Sequence, residues 1–290
     1  MPTLLDRLPE DLTTLSDEDL QDFTQELLSL HENDRRENSL LYYQPVNAVA
    51  ARVHQTPCKT IGIGGGNGSS KTETMLVEMA IRATGQIPFA LRSWYPREKL
   101  RGPIQCRLVC ESLTTTLIPI ILPKLQWWQW RGVSQPGGPK GHWGWIPKSC
   151  LLGGDWKTSW SEKLRMLRLV YRDPDEPSKI LGESSIQFMS YDQHPSDFAS
   201  GDFHFVGHDE PPSEAIWEEN TARVMRVNGT LMVAMTGPDD PAIPVDWIHD
   251  RLYEKGSPGP NKEVSTEWIN LSTLENPHLN LDAVSERAAQ

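Results

Sequence analysis

Residues Ile61–Met75 read IGIGGGNGSSKTETM, and their interpretation decides the fold. The stretch has the outline of a phosphate-binding loop, whose usual pattern is G-x-x-x-x-G-K followed by Ser or Thr. Gly65, Lys71 and Thr72 fall at that spacing, while Ser70 stands where the last glycine belongs. Such a loop needs backbone N–H groups converging on one concavity, with a helix N-terminus behind them. It also needs a lysine for the β/γ-phosphates and a hydroxyl for Mg²⁺. An apolar strand at Thr60–Ile63, a loop over 64–70, then Lys71, Thr72 and an apolar helix over Thr72–Ala83 supply these parts in order. Serine is the smallest replacement that keeps a donor, so the loop is expected to survive it. The bland alternative is a glycine-rich turn before an ordinary helix.

A second stretch weighs against the bland alternative. Residues Phe203–Pro212 read FHFVGHDEPP, a strand that ends in Asp209 and Glu210. In a phosphate-loop ATPase an aspartate there orients Mg²⁺ and the next carboxylate polarises the attacking water. The apolar run Thr230–Met235 then ends in Thr236-Gly237-Pro238, a polar tip that can sense the γ-phosphate or simply turn the chain.

Around these stretches the chain alternates strands and helices. Ser16 followed by Asp17-Glu18-Asp19 marks a helix start, and Leu20, Phe23, Leu27 and Leu30 carry an acidic amphipathic helix over 17–34. A short helix is expected over Val46–Val53, and strands over 105–110, 165–171 and 185–191. Residues 113–122 are expected to form a short apolar helix that stops at Pro123, and 213–226 a further helix between two strands. The order predicts an α/β fold: a mainly parallel sheet with helices on both faces, of the P-loop NTPase (ASCE/RecA-like) kind. We expect a helical arm over 1–39 and one ATPase domain over 40–290. That domain carries a basic insertion at about 126–160, rich in Trp, Gly and Pro and holding seven of the eleven tryptophans.

Composition excludes other classes. No apolar run approaches the roughly 20 residues that span a bilayer, so no membrane role is expected. The four cysteines, Cys58, Cys106, Cys110 and Cys150, form no metal-binding spacing and are expected to be reduced thiols of a cytoplasmic protein. The net charge of −11 argues against a generally basic nucleic-acid binder. The charge is uneven, however: residues 92–172 hold fourteen basic and four acidic groups, against seven and twenty-two over 173–290. A basic middle could track DNA phosphates or face a nucleotide in a neighbouring subunit. The tryptophans there are expected to pack an irregular insertion rather than to stack on bases.

Taken together, these motifs resemble the ATPase domain of the large terminase subunit, the motor that packages DNA into tailed-phage heads. The resemblance runs over about 40–280. It rests on Tyr43-Gln44 upstream of the loop, on Gly-Gly-Asn-Gly-Ser-Ser-Lys-Thr itself, and on Gly182–Phe188 with Gly201. It continues through Asp209–Pro212, Arg223, Gly229, Thr236–Pro238 and Asn276–Leu279. It implies ATP and Mg²⁺ as cofactors. Gln44 would contact adenine; Gly65, Gly66, Asn67, Gly68, Ser69, Ser70, Lys71 and Thr72 would bind the phosphates. Thr72 and Asp209 would hold Mg²⁺, Glu210 would be the catalytic carboxylate, and Thr236 would couple hydrolysis to movement. Ring motors of this kind use a trans-acting arginine; Arg172 is the first choice here, with Arg165 and Arg168 as substitutes. The implied partners are double-stranded DNA, a portal protein, a small terminase subunit and further copies of the chain in a ring, with the isolated domain monomeric. The implied location is the host cytoplasm, docked on a procapsid. The family's nuclease domain has no counterpart in these residues, so no DNA cleavage is expected of them. The other readings are a different P-loop translocase or helicase, and a nucleotide-binding assembly module without catalysis.

Overall fold

The strand that feeds the glycine loop, β1 (Thr60–Gly65), is an inner strand of an eight-stranded sheet in the computed structural model, which describes residues 16–128, 142–237 and 245–279. The other strands are β2 (Gln105–Cys110), β5 (Trp160–Ser161), β6 (Met166–Arg172), β7 (Ile180–Ser190), β8 (Phe205–Asp209), β9 (Thr230–Met235) and β10 (Thr266–Leu271). β3 (Trp127–Trp128) and β4 (His142–Trp143) form a separate two-stranded ribbon. The sheet order is β10-β1-β9-β8-β2-β7-β6-β5. All pairings from β10 to β7 are parallel, and β6 and β5 add antiparallel strands at one edge. β9 therefore separates the loop strand from the strand ending in Asp209. The fold is the α/β class that the motif order implies.

The alternation of β9 shows why both faces are covered. Met232 and Ala234 belong to one buried cluster, and Leu231, Val233 and Met235 to the other. Successive side chains of a strand point to opposite faces, so an unbroken apolar run needs cover on both. On the first face lie α2 (Ala48–Gln55) and α3 (Lys71–Thr84), with Val53, Met75, Leu76 and Met79 fully buried. α6 (Glu214–Met225) covers the second face with Ile216 and Trp217. α1 (Asp17–Glu37) starts at Ser16, whose side chain accepts the Asp19 N–H, and it buries none of its residues.

Three elements differ from the sequence reading. Pro123 does not end a helix: a π-helical segment, Leu113–Ile121, continues into α4 (Leu122–Gln126), and Pro123 sits in the first turn of α4. Because the two segments run on, Pro123 leaves a carbonyl of the preceding turn without a helical N–H, and the helix absorbs that loss rather than ending. β10 has no counterpart in the sequence reading, because TEWINL mixes polar and apolar residues without a clean period. Its Trp268 lies over Gly62 of β1, where an added Cβ would come within 2.2 Å of the ring. Third, the described part of the tryptophan-rich insertion contains β3, β4, β5 and α5 (Trp156–Ser159); Trp130 and the rest of 129–141 lie outside the described residues. Four of its described rings pack on other rings of the protein. Trp127 meets Trp143 edge-on at 5.9 Å, Trp145 meets Tyr43 at 5.4 Å, and Trp160 meets Phe188 at 5.6 Å.

The basic middle is not one face. Lys99 and Arg107 are buried, Arg97, Lys148 and Arg168 pair with acids, and Arg101 and Arg172 bind backbone carbonyls. All four cysteines are free thiols. Among the described residues no helix is long and apolar enough to cross a membrane.

Candidate functional site

Parallel strands bring their C-terminal ends to one edge of the sheet, and the register sets which tips meet there. Gly64 pairs with Met235, and Asp209 pairs with Ala234. The loop after β1, the acidic pair at the end of β8 and Thr236 after β9 therefore lie side by side. A cavity of about 820 Å³ opens over this edge. That is within the size range of small-molecule and nucleotide sites.

α3 begins at the floor of the cavity. Its N-cap residue, Ser70, makes no side-chain cap bond and adopts the left-handed conformation with φ 67° and ψ 21°. The sequence departs from the usual glycine at a position whose backbone is one that glycine favours. Gly68, also with positive φ (80°), precedes it. The first N–H groups of a helix have no partner within it, and together with the helix dipole they make an anion site. Lys71 is buried and its Nζ donates to the Gly66 carbonyl at 2.8 Å. Burial pushes its ammonium below the ordinary lysine range, with Glu210 and Asp209 opposing.

Two side chains from the segment after β10 hold the loop. The Asn276 amide donates to the Gly68 carbonyl at 2.6 Å and to Ser70 Oγ at 3.2 Å, and the Thr273 hydroxyl donates to the Asn67 carbonyl at 3.1 Å.

The acidic pair is divided by environment. Asp209 is buried, and its Oδ1 accepts from the Thr72 hydroxyl at 2.6 Å. Glu210 lines the cavity with a left-handed backbone, φ 70°. Its N–H donates to the Ala234 carbonyl at 2.9 Å and its own carbonyl accepts from the Tyr191 hydroxyl at 2.6 Å. Its Oε2 accepts the Thr236 N–H at 2.9 Å, and its Oε1 accepts from the Thr236 hydroxyl at 3.4 Å. Burial raises both carboxyls above their ordinary values. Thr72 opposes this at Asp209; at Glu210 the Thr236 N–H opposes it and the charge of Asp209 adds to it. Non-glycine residues in this backbone region are held there by their surroundings, and they concentrate at functional sites.

Of the residues named from the sequence, Gln44, Asn67, Gly68, Ser70, Lys71, Thr72 and Glu210 line the cavity. Gly65 ends β1, Gly66 accepts the Lys71 bond, Ser69 is buried beneath the loop, and Asp209 lies under Thr72. Thr236 links the two halves, because its hydroxyl also lies 3.3 Å from Asn67 Oδ1. Pro238 lies outside the described residues.

Arg172, the first choice from the sequence for a trans-acting arginine, is engaged within its own chain and away from that chain's cavity. Its guanidinium donates to the Ser149 carbonyl at 2.7 and 3.1 Å and to the Pro177 carbonyl at 2.9 Å. Its own carbonyl packs against Gly85, the C-cap of α3. A 14-residue helix, about 21 Å long, separates that end from the loop. β6 is antiparallel to β7, so its last residue falls at the edge away from the cavity. Arg165, just before β6, falls at the cavity edge: its carbonyl accepts from Phe188 near the end of β7.

Several residues of the site carried no usable sequence signal. Lys124, Trp145, and His31 and Arg35 of α1 also line the cavity. Burial lowers the Lys124 ammonium, with Glu73 and Asp209 opposing. A wholly buried cluster supports the wall behind Tyr43. His54 Nε2 lies 3.2 Å from the Tyr43 hydroxyl and its Nδ1 2.8 Å from Glu78. Glu78 also takes Arg82 at 2.8 Å and Lys99 at 3.1 Å, and Arg82 reaches Thr230 at the start of β9 at 2.6 Å. Burial would raise the Glu78 carboxyl, yet Lys99 and Arg82 hold it below the ordinary carboxylate range. Burial lowers Lys99 to about 8 against the pull of Glu78.

The fold is of the α/β, P-loop NTPase-like class. Among solved structures the chain is similar to the large terminase of the thermophilic bacteriophage D6E, with TM-score 0.50 and 11% identity over 84% of this chain and 50% of that one. It is also similar to the large terminase ATPase domain of Thermus phage P74-26, with TM-score 0.49 and 14% identity over 87% of each chain. The D6E terminase in complex with ADP matches with TM-score 0.44 and 11% identity, over 86% of this chain and 47% of that one. No family model matches the sequence, and no curated protein does. The chain shares its fold with part of the D6E large terminase and spans about half the length of that protein.

Proposed function

We propose that the chain hydrolyses ATP as the motor domain of a viral DNA-packaging terminase. The observation that carries this reading is the Glu210 carboxylate. It is fixed by the Thr236 N–H at the cavity wall, beside an uncapped helix start bearing Lys71 and Thr72. A pure binding module has no need of a water-polarising carboxylate held in this way.

The donor set fits a nucleotide with a hard divalent cation. The loop N–H groups and Lys71 would hold the β/γ-phosphates. Thr72 Oγ1 and Asp209, already 2.6 Å apart, form an oxygen pair of the kind Mg²⁺ prefers. When bound, the cation would neutralise charge that develops on the phosphates. Glu210 would orient the attacking water and accept its proton. Its raised pKa makes it a better base than an ordinary carboxylate. Thr236 touches both Glu210 and Asn67, so it can report the state of the loop to β9.

The family's partners belong to the same proposal: double-stranded DNA, a portal, a small subunit and a ring of copies in the host cytoplasm. For the trans-acting arginine we favour Arg165 over Arg172, because the Arg172 guanidinium is held by backbone carbonyls of its own chain. Phosphate release measured with and without duplex DNA tests the proposal. Turnover stimulated by DNA is expected; hydrolysis indifferent to DNA, alone and on a portal, contradicts the motor assignment while leaving the ATPase.

A further inference from the structure

α1 makes a poor structural helix: it buries no residue, yet it is anchored beside the cavity. Tyr42 Oη donates to Asp34 at 2.5 Å, and its ring meets His31 edge-on at 5.3 Å. Lys148 pairs with Glu37 at 3.0 Å, and the Ser39 hydroxyl donates to the Trp143 carbonyl. These contacts fix which face of α1 looks inward. His31 and Arg35 are four residues apart and so share a face, and both line the cavity. Glu32 pairs with Arg36 and Glu37 with Lys148, while Arg35 makes no hydrogen bond or ion pair among the described residues. Tyr42 ties this face to one part of the cavity lining. It holds the turn carrying His31 and Arg35 and belongs to the Tyr42–Val46 segment, which lines the cavity from outside the loop that carries Lys71. Val46 adds an apolar side chain to that segment.

We propose that His31 and Arg35 form a roof over the base of the bound nucleotide, closing the purine between α1 and the Tyr42–Val46 segment. The proposal rests on the reading of the cavity as a nucleotide site and adds a recognition element outside the phosphate-loop motifs. A guanidinium and an imidazole are planar groups that stack on a base, and a stacked base is typically worth about a tenfold or greater change in affinity. The roof acts on the base end and leaves the phosphate end to Lys71. The N-terminal helix is thus part of the binding site.

Calorimetric titration of the full chain with ADP and, separately, with inorganic pyrophosphate separates the two ends. Arg35→Ala is expected to weaken ADP about tenfold and to leave pyrophosphate unchanged, and His31→Ala to act in the same direction. Arg35→Lys keeps the charge without the plane and is expected not to restore ADP affinity. Equal weakening of ADP and pyrophosphate, or full rescue by Arg35→Lys, overturns the roof in favour of a phosphate contact. Unchanged ADP affinity in both alanine variants overturns it outright. Lys71→Ala is the control. If it leaves ADP binding intact, the nucleotide reading of the cavity fails; if it abolishes binding while Arg35→Ala does nothing, only the roof fails. Arg35 is exposed on a helix surface and alanine favours helix, so the variant is expected to fold, and circular dichroism checks it.

Discussion

Ser70 gives the sharpest test of the loop, because its backbone and its side chain pull in opposite directions. Its left-handed backbone, φ 67°, costs a residue with a Cβ about 1–2 kcal/mol. Ser70→Gly removes that strain. It also loses the Oγ that accepts from Asn276 at 3.2 Å, a weak bond since the same amide holds the Gly68 carbonyl at 2.6 Å. Glycine further frees the unfolded chain by about 0.4–1 kcal/mol. The terms nearly cancel, so Ser70→Gly is expected within roughly 0.5 kcal/mol of wild type. Ser70→Ala loses the same Oγ but keeps the strain. The comparison of Gly with Ala therefore isolates the backbone. Glycine is expected to be the more stable by about 1 kcal/mol, or roughly 2–4 °C in Tm for a domain of this size. At an ordinary position alanine would win by about 0.4–1 kcal/mol, so the sign alone decides. Thermal and urea unfolding of the two variants measure it. An alanine variant as stable as the glycine variant refutes the left-handed loop. Nucleotide affinity is expected to survive in Ser70→Gly, since the N–H array is kept.

Glu78→Gln leaves Arg82 and Lys99 buried without their anion and is expected to destabilise by about 3–5 kcal/mol, read from the urea midpoint; a loss under about 1 kcal/mol contradicts a coupled cluster. The raised carboxyl of Glu210 in the nucleotide-free protein predicts that kcat/KM falls on the acid side with a midpoint above the ordinary glutamate value of 4.5; a limb at or below that value argues that another group is the base. The same shift has a stability sign: a carboxyl whose pKa is raised on folding contributes stability at low pH that is lost as pH rises through the folded pKa. Glu210→Gln is therefore expected to raise the Tm of the nucleotide-free protein at pH 8 and to change it little at pH 4, and the reverse order contradicts the burial of that charge. Arg172→Ala removes bonds to the Ser149 and Pro177 carbonyls and is expected to lower stability while leaving ATP turnover unchanged, including its dependence on protein concentration; a selective loss of that dependence would return Arg172 to the active site.

The parts legible in the sequence were those whose chemistry is local. The run from Thr60 to Thr84 states strand, loop and helix by itself, and 105–110 matched a strand residue for residue because its apolar run is short and bounded. Phe203–Pro212 and Thr230–Pro238 gave the two neighbouring tips, although which strand separates them is set by sheet order, and no single segment encodes that. What stayed hidden depends on distant pairing. β10 earns its place by laying Trp268 on Gly62, a fit invisible in TEWINL alone. Lys124 reaches the cavity because the π-helical segment continues as α4 through the position where Pro123 suggested an end. The block of positive charge over 92–172 is real in composition. Its members scatter between core, sheet and surface because strand alternation sends neighbours to opposite faces. The end of the sheet on which Arg172 falls was hidden for a related reason: nearness to the acidic motif in sequence says nothing about strand direction, and β6 runs antiparallel to its neighbour.

The central claim is that Glu210 is the catalytic carboxylate of an ATP site built on Lys71 and Asp209. Phosphate release and ATP binding measured on the same samples of wild type and Glu210→Gln test it most directly. The amide can still accept the Thr236 N–H through its oxygen, so binding of ATP with Mg²⁺ is expected to persist near the wild-type Kd. Turnover is expected to fall by about 10²-fold or more, the usual scale for loss of a general base. Hydrolysis by Glu210→Gln at the wild-type rate, with binding intact, contradicts the account.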